Sequence, residues 1–317
     1  MILSRVANDE KLEILPKHWV RRIAQINLVR YQTLGSGIMG FLKNIKWLFV
    51  LGLIFLLNPA ISHADPKHSR TCREYLGEVL SLAPDMNVKL PGGGPVEIRE
   101  IMPRVFYLLF DSTAEAASTF LRFEQFYESP KFRHQVFSFN EFKAWYMERR
   151  GTKTFTYEQD WAGFNIPSSV LQPFYKGAFD PLSDRELWLL NMFRSFGPED
   201  FYVIAGFKDN PRQPLEEIAV ARHELAHSLF HFDINYRQKI FQILSTENLF
   251  PLRIYLQNYH DAVFEDEVNA YLTDSSDREL MEKKGISMKP YLPLIEKLNG
   301  LFERHFFAWL ERSNRRR

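Results

Sequence analysis

Residues 221–227 read Ala-Arg-His-Glu-Leu-Ala-His, and this stretch constrains the chain more than any other. On a helix, residues four apart lie one turn apart on one face, so His223 and His227 aim two imidazoles at one point. Glu224 lies between them along the helix and can reach a water held at that point. Two imidazoles and one further ligand make a donor set that suits zinc, with a fourth position left open to water. Such a water has its pKa lowered to about 7, and a nearby carboxylate can take its proton. His223 and His227 are therefore expected as metal ligands and Glu224 as the general base. The helical wheel agrees: Ile218, Ala221, Leu225, Leu229 and Phe232 fall on one side and the histidines nearly opposite. The helix can then bury one stripe and turn the histidines toward a cleft.

The third ligand is sought downstream, in Glu265-Asp266-Glu267-Val268-Asn269-Ala270-Tyr271-Leu272. Glu267 is the first choice, since Glu267, Tyr271 and Asp274 share one face by the four- and seven-residue spacing. Tyr271 and Asp274 are then placed to orient ligands or to contact substrate. Glu265 and Asp266 stay open as alternatives. His231 follows His227 by four, but it lies about 12 Å along the helix axis from His223. An unbroken helix cannot bring all three to one ion, and no glycine at 229 turns the chain. Tyr236, Tyr259 and His260 are further candidates for the cleft or for oxyanion stabilisation, with core or rim packing the commoner use of such residues.

His223, Glu224 and His227, followed by Glu267-Val268-Asn269-Ala270, resemble the zincins, in particular the gluzincin branch of zinc metallopeptidases. The resemblance covers residues 200–274. One departure is Tyr271, which stands where the best-known gluzincin form has an acidic residue. The resemblance implies peptide-bond hydrolysis, with Glu224 as base and then acid, zinc as cofactor, and Tyr271 beside the reacting groups. It also implies an edge strand just before the motif helix that pairs with extended substrate, a place that Phe201–Phe207 would take. A zinc amidase acting on cell-wall peptides, and a zinc-binding protein without turnover, are the alternatives.

An N-terminal leader is embedded in the sequence. Lys43 and Lys46 precede an uncharged apolar run, Trp47 to Leu57, then Pro59 and Ser62-His63-Ala64. This is the anatomy of a secretory signal peptide, and the run is too short for the roughly 20 residues of a membrane span. Because the leader begins at Met39, residues 1–38 are expected to be an upstream extension. The mature chain is then 65–317, one domain, exported to the periplasm or secreted, with no stable membrane span after cleavage. No Asn-x-Ser/Thr sequon occurs, which favours a bacterial exported protein.

The formal charge of +1 mixes unlike parts. The first 64 residues hold eight of the 40 Lys/Arg and three of the 39 Asp/Glu, which leaves the remainder at −4. A body of that charge argues against tracking nucleic-acid phosphates, and a peptide or protein substrate is the expected partner. The lone cysteine, Cys72, excludes an intramolecular disulfide and a cysteine zinc site; burial is its expected fate.

The fold expected is α+β: a small sheet in the first part, then the motif helix and a mainly helical remainder. Strands are expected at 104–110 and 201–207. Helices are expected after Ser112, over 140–149 up to Gly151, over 183–196, and over 214–232, 236–247, 251–273 and 289–312. Pro91 to Pro95 reads as a turn, and Trp161–Ser169 as an aromatic loop with a possible use in an apolar side-chain pocket.

Overall fold

Two hydrophobic runs, Arg104–Phe110 and Phe201–Phe207, lack the alternation of a half-solvated strand. The reason is that both become inner strands of one sheet, apolar on both faces. The structure, a computed structural model, describes residues 70–197, 199–209 and 215–314. The extension expected at 1–38 and the leader expected at 39–64 lie outside the described residues. Among the described residues no helix is long and apolar enough to cross a membrane.

The first elements are helix α1 (Cys72–Ser81) and strands β1 (Met86–Lys89), β2 (Pro95–Met102) and β3 (Val105–Phe110). Helices α2 (Thr113–Glu128) and α3 (Phe139–Arg150) follow, then β4 (Phe164–Pro167), α4 (Asp184–Phe193) and β5 (Tyr202–Phe207). The rest is helical: α5 (Leu215–Phe232), α6 (Ile234–Leu244), α7 (Phe250–Tyr255), α8 (Phe264–Thr273), α9 (Ser275–Lys283) and α10 (Leu292–Asn314). The protein is α+β, with a small mixed sheet of order β1-β2-β3-β5-β4. β3 and β5 run parallel, and the other neighbours are antiparallel.

Local chemistry sets several boundaries. Ser112 caps α2 by accepting the Glu115 N–H. Ser138 with Glu141, and Ser183 with Glu186, form reciprocal capping boxes on α3 and α4. Gly151 closes α3 in the left-handed conformation, φ 64°, which glycine adopts without penalty.

Helices cover both faces of the sheet. On one, Val105, Tyr107 and Leu109 of β3 and Tyr202 and Ile204 of β5 join a core with α1, α5 and the C-terminal helices. Cys72 is fully buried there. On the other, Phe106 and Phe110 meet Phe193 and Trp188 of α4 and Phe120 of α2.

Three expectations are corrected. β5 is not an edge strand: it is flanked by β3 and β4. The edge on this side is β4, formed inside the segment expected to be an aromatic loop; a four-residue strand that is buried throughout carries no alternation to read. The helix expected over 251–273 is broken into α7, a 3₁₀ turn at Asp261–Val263 and α8. His260 caps that turn through Nδ1, which accepts the Ala262 N–H.

Candidate metal centre

α5 carries the motif. Its apolar stripe is buried as the wheel requires, with Ala221, Leu225 and Leu229 all fully covered. The motif face is also largely enclosed: His227 is 1% exposed and Glu224 5%. His223 is the more open of the histidines and faces a cleft of about 440 Å³.

The two imidazoles converge. His223 Nε2 and His227 Nε2 lie 3.2 Å apart. Two nitrogen ligands on one tetrahedral ion, with bonds of about 2.0–2.1 Å, would stand roughly 3.3 Å apart. His223, Glu224 and His227 form a group whose ligand atoms all lie within 4.8 Å of one another. Glu267 approaches from α8, with Oε1 3.9 Å from His227 Nε2. It is 1% exposed, and its Oε2 has no hydrogen-bond partner. Glu224 Oε2 is likewise buried and unpartnered. Buried carboxylate oxygens without partners call for an ion, a water or a proton. The group of two imidazole nitrogens and a carboxylate could hold a metal ion, and the buried carboxylate of Glu267 stands next to it. Glu267 stands outside the group formed by His223, Glu224 and His227.

The far side of each ring is held by an acid that sequence reasoning did not assign to it. Asp277 Oδ2 lies 2.7 Å from His223 Nδ1. Asp266 Oδ1 lies 3.0 Å from His227 Nδ1, in contact though not aligned as a hydrogen bond. Such carboxylates fix the tautomer that presents Nε2 to an ion. Burial alone would push His223 down, but the Asp277 carboxylate outweighs it and holds the imidazole up at about 9. His227 is raised too, burial again being outweighed by Asp266.

Burial pushes the Glu224 carboxyl up, against the pull of both histidines and of a hydrogen bond from Asn165. Asn165, on β4, has its carbonyl oxygen held by the Tyr202 hydroxyl. Glu124 and Glu128 of α2 are buried nearby. Burial raises both, Glu124 well above the usual range and Glu128 to about 7.

The helices that carry His223, His227 and Glu267 are tied together by Arg222, the residue before His223. Its guanidinium donates to the Thr273 carbonyl at the end of α8, and to Asn299 Oδ1 and Glu303 Oε1 of α10, both at 3.0 Å. It is 6% exposed. Reading the sequence gave it no role; its place beside the motif was the one available signal.

The remaining candidates separate. Tyr271 stands edge-on to the His223 ring, centroids 4.9 Å apart, and its hydroxyl pairs with that of Tyr259 at 3.1 Å. Both tyrosines line the cleft. Asp274 also lines it, but its side chain caps α9 and pairs with Arg73. Tyr236 is fully buried and donates to Asn269, so it belongs to the core. His231 points to Asp200 at 3.1 Å, away from the other two histidines. Glu265 is half-buried and has no contact with the histidines among those described.

No protein-family model, curated protein or solved structure matches the chain. The functional reading rests on the residues themselves.

Proposed function

We propose that the chain is an exported zinc-dependent hydrolase of the zincin kind, acting on peptide bonds. The observation that carries the reading is the convergence of His223 and His227 at 3.2 Å, with a carboxylate behind each ring and Glu267 Oε1 3.9 Å from His227 Nε2.

Zinc, when bound, would polarise a carbonyl and acidify a water. The chain supplies the rest. Glu224 offers an unpartnered carboxylate oxygen to the water's proton and can return that proton to the leaving amine. Its burial and raised pKa suit both directions of transfer. Tyr259 and Tyr271 share one hydrogen bond between two hydroxyls, so one O–H proton is left to donate to a developing oxyanion. The cleft walls, with Trp161, Tyr255, Tyr259 and Tyr271, would exclude water from the bond being cut.

The test is Glu224→Gln. The variant is expected to keep the fold and the metal, because an amide of the same shape replaces a group that is not assigned as a ligand. Hydrolysis in a peptide panel should fall by about 10²–10⁴-fold, mostly in kcat. A variant with full zinc and near wild-type turnover would remove Glu224 as the base.

A further inference from the structure

Zincin-type recognition of an extended chain needs a sheet edge with free N–H and C=O groups. β4 is that edge, and its outward donors are already used. The Asn165 N–H points away from β5 and is accepted by Glu124 Oε2 at 3.2 Å. N–H directions alternate along a strand, so the next outward position is Pro167, which has no N–H. All four residues of β4 are buried. Along this edge, α2 stands where a substrate strand would lie.

In the other direction the next outward position is Gly163, which lines the cleft. A Cβ there would stand 2.6 Å from Glu224 Oε1 and 2.7 Å from Val220 Cγ1. The Gly163 backbone therefore runs directly beside the carboxylate assigned as base, and a side chain there would have to displace Glu224 or Val220. Two residues further back, Trp161 crosses to the opposite wall, its ring 5.7 Å from that of Tyr259. The cleft's 440 Å³ lies toward the low end of the range of about 300–1,000 Å³ for small-ligand pockets.

We propose that the substrate is a short peptide, or the terminus of a longer one, held by backbone pairing at Gly163 alone, and not an extended polypeptide laid along β4. This deepens the hydrolase reading of the same site and rests on it.

The experiment gives the zinc-loaded chain two mixed-sequence peptide pools, of about three and about twelve residues, and maps every cut by mass spectrometry. The short pool is expected to be cut with a kcat/KM about tenfold or more above that of the long pool. Cuts in the long pool should fall at bonds near an end. Cuts spread through the interior of the long peptides, or efficient internal cleavage of an unfolded protein such as casein, would overturn the proposal and leave the hydrolase reading standing. Hydrolysis of neither pool by protein with a full complement of zinc would overturn both.

Discussion

Replacing Glu267 with leucine should change stability in opposite directions with and without metal. Glu267 is 1% exposed and its Oε2 has no protein partner. An unsatisfied buried polar group costs about 1–3 kcal/mol, so an apolar side chain of similar size should be neutral or stabilising there. With metal the sign reverses. At a zinc concentration about 100-fold above the wild-type Kd, bound zinc would stabilise the folded chain by about 2.7 kcal/mol. If losing Glu267 raises Kd about 100-fold, the gain left at that concentration is only about 0.4 kcal/mol. The difference, about 2.3 kcal/mol, corresponds to roughly 5–9 °C in Tm at about 2–4 °C per kcal/mol for a body of this size. Thermal unfolding followed by circular dichroism, after chelation and after zinc is restored, measures both arms. Glu265→Leu is the control and should keep the wild-type zinc shift, since Glu265 has no contact with the histidines. A Glu267→Leu variant whose Tm rises with zinc as much as wild type would refute the ligand assignment and the reasoning from the orphaned oxygen.

The other outcomes test the rest of the site. His223→Ala and His227→Ala should each abolish stoichiometric zinc in dialysed protein; full retention in both would remove the metal centre. Asp277→Asn should weaken zinc affinity about 10–100-fold in a competitive chelator titration, as loss of a ligand-orienting carboxylate does. Asp266→Asn should cost less, because its 3.0 Å contact with His227 is not aligned as a hydrogen bond; the reverse order would contradict that geometry. Arg222→Met should destabilise by about 1–3 kcal/mol in urea unfolding by taking the donor from the Thr273 carbonyl and from Asn299 Oδ1 and leaving Glu303 with only the Cys72 N–H. A loss below about 0.5 kcal/mol would show that Arg222 does not hold the ligand helices together.

The sequence by itself determined what is local. The four-residue spacing of His223 and His227 sets their convergence once a helix forms, since helical geometry repeats with a fixed pitch. The same regularity placed Tyr271 on the site's side of α8, and the capping residues at Ser112 and Ser183 marked helix starts that the structure keeps. The apolar runs of β3 and β5 were legible because strands buried on both faces need little but composition to recognise. Tertiary structure decided everything that joins distant segments. Asp277 reaches His223 across 54 residues and Asp266 reaches His227 across 39, and no periodicity connects such pairs. The helices expected from the sequence stop at 273 and resume at 289, so α9, which carries Asp277, has no counterpart among them; its exposed residues are mostly polar. The edge strand was misplaced for a related reason: which strand is outermost depends on pairing order, and order is set by how α2 and α5 pack on the sheet. That packing also brings Glu124 to the Asn165 N–H, closing most of the edge and leaving Gly163 as the open position beside Glu224.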